Sequence, residues 1–229
     1  MNEHWEVLKL HHGIAAYFTV LKMLRDRENP IHYHQLKSLL QENADKFSSE
    51  SLNDLYSFTT NFCIMRINQN DVSYKRELFE IYQQSLKNEV LLQHGKLDGW
   101  VYKNIATLGC NLKEYNWTFH FIENYKEKIP SSQKNNAYNY SLAYYHLSRK
   151  DYNSSMRLLQ EVEFTEVHYH LSGNLLLMRS YYELNDTESL LSLLESMRLY
   201  VLRSKKLIGT EKKRLHQLNS IYQKFGIAA

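Results

Sequence analysis

Proline and glycine are almost absent from this chain, and their scarcity limits what it can fold into more than any other feature. The 229 residues include two prolines and seven glycines, roughly 4 % together, where average usage is about 12 %. Folds with many tight turns depend on these residues, so turn-dense all-β, collagen-like and linker-rich chains are excluded. Because 43 % of the residues are hydrophobic, the chain has enough apolar side chains for a core. We predict a mostly helical globular protein.

Apolar residues recur at helical spacing along nearly the whole chain, and the pattern predicts about eleven helices. The first is expected to end at Pro30, because proline disfavours the helical conformation of the residue before it. The second is predicted over 31–47 and the fourth over 73–93, followed by a turn at His94-Gly95. Asn111 and Asn185 are predicted to cap the helices that follow them. The short connections are typical of helical hairpins.

The second half of the chain contains an internal repeat. Three segments beginning at Ile105, Leu142 and Leu177 are offset by 37 and 35 residues and share the same internal spacing. The tetratricopeptide repeat has a period of about 34 residues, and the chain resembles that family. The matched positions are a small residue (Ala106, Ala143, Met178), an aromatic (Tyr115, Tyr152, Thr187), a second small residue (Thr118, Ser155, Leu190) and a large apolar residue (Ile122, Leu159, Leu194).

The repeats depart from the family pattern at the turn between their two helices. Lys113, Lys150 and Asn185 occupy the position where the family often has glycine. We therefore expect these turns to be looser or differently shaped. Most of the chain resembles more closely a group of tetratricopeptide-like proteins of Bacteroidetes. The stretches that carry this resemblance are 77–82, 95–97, 117–125, 136–144, 149–152, 158–164 and 181–184. That resemblance implies a bacterial cytoplasmic protein with a binding role and no catalytic residue.

The resemblance implies an all-α fold, a superhelical stack of antiparallel helix pairs known as an α-solenoid. One domain is expected over 1–229. Within it, 1–97 would form divergent hairpins, 98–204 the recognisable repeats and 205–229 a terminal capping helix. Each hairpin in such a stack buries its apolar face against its neighbours.

In the register of the repeat, the first helix of each pair lines a concave groove. Aromatic and arginine side chains provide most of the binding energy at protein interfaces, so a peptide or helix could dock in this groove. We therefore predict a non-catalytic protein–protein interaction scaffold whose protein or peptide partner the sequence does not identify. The candidate groove residues are Trp100, Lys103, Thr107, Tyr140, Tyr144, Arg179 and Tyr182.

Two alternatives remain open. Residues 195–229 hold eight basic and two acidic side chains, and such a patch can bind nucleic acid or an acidic protein. Few aromatic residues accompany it, which makes nucleic acid the less favoured partner. The basic patch is Arg203, Lys205, Lys206, Lys212, Lys213 and Arg214. The second alternative is a self-associating structural or regulatory domain, although the sequence does not indicate an oligomeric state.

The sequence contains no motif for an activated nucleophile, a phosphate-binding loop or a metal site. We therefore predict no enzymatic activity, no cofactor and no metal. Cys63 and Cys110 lack the spacing of a redox or zinc motif and are predicted to be buried, reduced thiols. No apolar run is long enough to span a membrane, and no secretion signal is recognisable. A cytoplasmic location without membrane contact is expected.

Overall fold

The computed structural model describes residues 12–163 and 167–203, and it confirms the predicted all-α class. These residues form ten α-helices and one short hairpin. The eleventh predicted helix, which would follow Gly209, lies outside the described residues. The helices are α1 (His12–Arg25), α2 (Ile31–Asn43), α3 (Ser49–Asn68), α4 (Tyr74–Lys87), α5 (Gly99–Asn111), α6 (Tyr115–Tyr125), α7 (Ser131–Ser148), α8 (Tyr152–Gln160), α9 (Val167–Glu183) and α10 (Thr187–Arg203); the strands are β1 (Leu92–Gln93) and β2 (Lys96–Leu97).

The chain divides into two compact units, with α1–α5 in the N-terminal unit and α6–α10 in the C-terminal unit. In the N-terminal unit each helix packs on the next one, and α1 also packs on α3. In the C-terminal unit each helix again packs on its successor, and α7 also packs on α9. The boundary separates α5 from α6, the two helices of the first predicted repeat.

The small and the large apolar positions matched to the repeat family are buried, whereas at the aromatic position Tyr115 and Tyr152 are half-buried and Thr187 is exposed. In the C-terminal unit the large apolar positions Ile122, Leu159 and Leu194 are 0 %, 0 % and 2 % exposed. The small positions Ala143 and Ser155 are also fully buried. Apolar contact is therefore concentrated where the aligned spacing predicts it.

Of the ten described helices, five end with a residue in the left-handed conformation, and none of the five residues is glycine. Their φ angles lie between 54° and 69°. At each end the next residue's N–H donates to the carbonyl five residues earlier, as Asp151 donates to His146 over 2.9 Å. This is the Schellman arrangement, which usually places glycine at the left-handed position. The residues at that position, after α3, α4, α5, α7 and α9, are Asn70, Glu89, Lys113, Lys150 and Asn185.

The expectation of looser turns at the repeat positions is wrong. Lys113, Lys150 and Asn185 have φ angles of 62°, 66° and 57°, so side chains adopt the backbone that glycine usually provides. Directly after two of these turns, an aspartate caps the next helix, because Asp151 and Asp186 each accept a hydrogen bond from a backbone N–H over 3.1 Å. The same turn thus recurs without the residue that favours it.

Two predicted caps and the ends of two predicted helices also need correction. Asn111 is the last residue of α5 rather than a cap, and Asp186 replaces Asn185 as the cap of α10. The fourth helix ends at Lys87, six residues before the predicted end, because the chain turns at Glu89 and then forms the β1–β2 hairpin. The second helix ends at Asn43 and continues as a 3₁₀ turn to Lys46.

The predicted turn at His94-Gly95 is confirmed. These two residues join β1 to β2 and have φ angles of 51° and 74°. Two consecutive positive φ angles are typical of the type I′ turn, whose twist matches that of the paired strands.

Replacing Lys150 with glycine is expected to raise the free energy of unfolding of the C-terminal unit by about 1 kcal/mol, since a left-handed L-residue costs about 1–2 kcal/mol. Asn185→Gly should raise the free energy of unfolding by less, because asparagine tolerates the left-handed conformation better than lysine does. Urea denaturation followed by circular dichroism measures both. The control, Arg157→Gly on the exposed surface of α8, should lose about 1 kcal/mol. Equal losses for Lys150→Gly and Arg157→Gly would contradict the turn assignment.

Candidate partner-binding surface

The seven candidate groove residues fall on three helices in two units. Trp100, Lys103 and Thr107 belong to α5 in the N-terminal unit, whereas the other four belong to α7 and α9 in the C-terminal unit.

On α5, Trp100 is at the surface and Lys103 is beneath it. Trp100 is 43 % exposed, whereas Lys103 is 6 % exposed. The Lys103 Nζ lies 4.0 Å from the centroid of the Trp100 ring, a distance at which an ammonium group is attracted to the ring face. Thr107 is half-buried. The assignment of Lys103 as a groove residue is corrected: it supports the tryptophan ring and does not present its charge to a partner.

Tyr140 joins α7 to α9 and is also a correction. It is 4 % exposed, its ring centroid lies 5.8 Å from that of Tyr169, and its hydroxyl hydrogen-bonds to Ser172. Burial raises the pKa of Tyr140 to about 12. Tyr140 therefore positions two neighbouring helices and cannot itself contact a docked peptide.

An exposed stripe on α9 remains, with one residue of α7 added to it by the repeat register. Leu175 and Tyr182 are 46 % and 57 % exposed, and Arg179 lies between them in sequence and is exposed. Their spacing of four and three residues places them on one face of the helix. Tyr144 of α7 is half-buried, with its ring centroid 6.4 Å from that of Tyr140. We call Tyr144, Leu175, Arg179 and Tyr182 the α7–α9 surface.

The α7–α9 surface combines apolar side chains with one cation. At the C-terminal end of α9 the Tyr152 hydroxyl hydrogen-bonds to Glu183, and Arg179 is close enough to affect the ionisation of Tyr152. An amphipathic peptide with apolar side chains and a carboxylate would complement this surface.

A buried polar network in the N-terminal unit was not predicted. Tyr33, fully buried on α2, donates a hydrogen bond to Glu77 of α4 over 2.9 Å and accepts one from the Cys63 thiol of α3 over 3.3 Å. The Lys37 Nζ lies 2.7 Å from the same Glu77 oxygen and also contacts Glu80. Three helices are thus joined by one continuous chain of hydrogen bonds.

The electrostatics of this network favour a stabilising role. Burial alone would raise the pKa of Glu77, but the hydrogen bonds from Lys37 and Tyr33 outweigh burial and lower it. Burial alone would lower the pKa of Lys37, but its bonds to Glu77 and Glu80 raise it. Burial raises the pKa of Cys63 to about 12. This thiol stays protonated at neutral pH and is a poor nucleophile.

Cys63 and Cys110 are both buried, as predicted, and their sulfur atoms are not joined in a disulfide. Among the described residues, no cluster of three or more histidine, cysteine or carboxylate side chains could hold a metal ion. In the same part of the chain, no helix combines the length and apolar character needed to cross a membrane. Of the predicted basic patch, Arg203 is described and exposed; Lys205, Lys206, Lys212, Lys213 and Arg214 lie outside the described residues.

Comparison with known proteins finds no matching family model, no matching curated protein and no matching solved structure. The proposed function therefore depends on the repeat positions and the exposed surfaces described above.

Proposed function

We propose that this chain is a tetratricopeptide-like helical repeat protein that binds a peptide or helix of a partner protein through the α7–α9 surface. The proposed role is that of a non-catalytic interaction scaffold. A cytoplasmic location and a bacterial source belong to the same proposal, because they follow from the family resemblance.

The repeat assignment is supported by geometry at corresponding positions. The turns at Lys113, Lys150 and Asn185 have the same left-handed conformation and the same hydrogen-bond pattern, which also occur after α3 and α4. In addition, α7 packs on both α8 and α9, as the first helix of a repeat would pack on its partner and on the next first helix. These contacts favour a stack of helix pairs in the C-terminal unit.

The single observation that supports binding is the exposed stripe on α9. Leu175 and Tyr182 expose large apolar surfaces on either side of Arg179. Tyrosine and arginine are the residue types that most often dominate the energy of a protein interface. Leu175, Arg179 and Tyr182 lie on one helix face, against which an amphipathic helix or peptide of the partner could pack its own apolar anchors.

The test compares peptide binding by the wild type and by the triple variant Leu175→Ala, Arg179→Ala, Tyr182→Ala. Peptides are first selected from a displayed random library against the wild type, and their dissociation constants are then measured by fluorescence anisotropy. The triple variant should bind at least about tenfold more weakly, since losing one strong anchor costs about 1.4 kcal/mol or more. Its free energy of unfolding should change by less than about 1 kcal/mol, because exposed side chains contribute little to stability.

A matched control carries three alanine substitutions on the exposed surface of α8, at Asn153, Arg157 and Gln160. The control should bind the selected peptides as the wild type does. Equal affinity of the α9 triple variant and the wild type would refute the α7–α9 surface as the binding site. Failure of the library to yield any peptide specific for the wild type would count against the peptide-binding function itself.

A further inference from the structure

Arg179 of the α7–α9 surface has no counter-ion in the part of the chain that the structure describes. Between the exposed apolar residues Leu175 and Tyr182 it is the only charged residue of the sequence. The nearest carboxylate along α9 is Glu183, four residues further on. Residues at this spacing are neighbours on a helix surface and often form ion pairs, but Arg179 and Glu183 do not.

Glu183 is instead bound by a residue of another helix. The hydroxyl of Tyr152, at the start of α8, hydrogen-bonds to the Glu183 carboxylate. Burial and Glu183 raise the pKa of Tyr152, whereas Arg179 lowers it, so the phenol lies within electrostatic reach of both charges. The Tyr152 ring is half-buried and packs against the core of the C-terminal unit. The carboxylate thus has a partner other than Arg179.

The position of the Tyr152 hydroxyl follows from the packing of the helices. At the corresponding position in α6, the Tyr115 hydroxyl donates to the backbone carbonyl of Ser148, the last residue of α7, over 3.2 Å. Tyr152 likewise meets the last residue of α9, but there the acceptor is a charged side chain. Of these two tyrosines, Tyr152 is therefore the one that can control the charge of a surface.

We propose that Tyr152 makes the α7–α9 surface selective for an acidic partner, because holding Glu183 leaves Arg179 to pair with a carboxylate of the bound segment. The inference rests on the proposed function and adds the chemistry of the partner, an amphipathic helix or peptide with aspartate or glutamate next to its apolar anchors. Arginine suits this role, since its planar guanidinium binds a carboxylate through two hydrogen bonds. The apolar side chains beside it exclude water from the pair.

The probes for the test are the peptides selected against the wild type, each compared with a neutral analogue in which asparagine and glutamine replace aspartate and glutamate. Fluorescence anisotropy gives the dissociation constants. The wild type should bind the acidic peptide about fivefold more tightly than the neutral analogue, the upper end for an exposed ion pair. In Tyr152→Phe this ratio should fall to about twofold, because Glu183, released from the hydroxyl, then competes for Arg179.

The double variant Tyr152→Phe, Glu183→Gln should restore the ratio of the wild type, because the competing carboxylate is gone. This rescue separates an electrostatic role from a structural one, since damaged packing would weaken both peptides alike and would not be repaired at Glu183. Arg179→Gln should abolish the preference for the acidic peptide.

Two outcomes would overturn this inference and leave the proposed function intact: selected peptides that contain no acidic residue, or a ratio that is unchanged in Tyr152→Phe. Failure to select any peptide specific for the wild type would refute both the inference and the proposed function.

Discussion

Replacing Glu77 with glutamine is expected to lower the free energy of unfolding of the N-terminal unit by about 2 kcal/mol at neutral pH. The carboxylate accepts hydrogen bonds from both Tyr33 and Lys37, and a hydrogen bond to a charged group contributes about 1.5–3 kcal/mol. The loss is smaller than for a fully buried ion pair, because Lys37 keeps Glu80 as a partner and the Glu77 side chain is 27 % exposed. Urea titration monitored by circular dichroism measures the change.

The control for this prediction is Glu80→Gln. Glu80 also contacts Lys37, but its side chain is 41 % exposed, and exposed ion pairs contribute about 0–1 kcal/mol. If the two glutamine variants lose equal stability, the shared oxygen of Glu77 is not the centre of the network.

The pH dependence of the Glu77 variant has a defined sign. Because the pKa of Glu77 is lowered in the folded chain, the carboxylate contributes to the free energy of unfolding above its ordinary pKa of 4.5. This contribution is lost as the pH falls through the folded pKa. The free energies of unfolding of the wild type and the glutamine variant should therefore converge in acid.

Burial raises the pKa of Tyr33, so the neutral phenol is favoured in the folded chain. Stability should then decline above about pH 10, the ordinary pKa of tyrosine.

The second large effect is expected from Ala143→Leu in the C-terminal unit. Ala143 is fully buried at the small position of the second predicted repeat, in the same core cluster as Leu159 and Tyr169. A leucine would have to displace these neighbours, and overpacking a filled core costs about 1–3 kcal/mol. Urea denaturation should show this loss.

The corresponding position of the third repeat provides the matched control. Met178 is 7 % exposed there, and the exchange Met178→Leu nearly conserves volume, so it should cost less than about 1.5 kcal/mol. A stable Ala143→Leu variant would mean that α7 and α8 do not need a small residue between them. That result would also weaken the repeat assignment.

Much of the fold follows from the spacing of apolar residues. The helices were predictable because their buried faces repeat every three or four residues, as Leu36 and Leu40 do on α2. The buried repeat positions, such as Ile122 and Leu159, were also found by spacing alone. The early end of α4 could not be predicted, because the left-handed residue after it is Glu89 and glutamate is not a residue type that favours turns.

The candidate site was only partly predictable. Helical spacing identified Arg179 and Tyr182, which are exposed as expected. The same spacing placed Tyr140 in a groove, although it is buried. A helix face that borders a groove also borders the neighbouring helix, and a change of one residue in register moves a side chain by about 100° around the axis. Only the positions of the packed helices decide whether such a side chain faces the groove or the neighbouring helix.

The buried network left a signal in the sequence that could have been used. Lys37 lies on the apolar face of α2 between Leu36 and Leu40, and Glu77 lies on the apolar face of α4 next to Leu78. A charged residue on an apolar face needs a partner when it is buried. Opposite charges on two such faces predict that the two helices meet. The contribution of Tyr33 could not be predicted, because any tyrosine can satisfy its hydroxyl at the surface.

Under the proposed repeat architecture, the helix ends without glycine also affect how strongly the helix pairs depend on one another. In a stacked-repeat protein, stability is divided between the intrinsic stability of each hairpin and the interfaces between hairpins. A strained left-handed lysine, such as Lys150 between α7 and α8, lowers the intrinsic stability of its hairpin. It leaves the interfaces between hairpins unchanged. The hairpins therefore rely more on their neighbours than hairpins with glycine turns would. The C-terminal unit is accordingly expected to unfold as one cooperative block, rather than fraying from its ends one hairpin at a time.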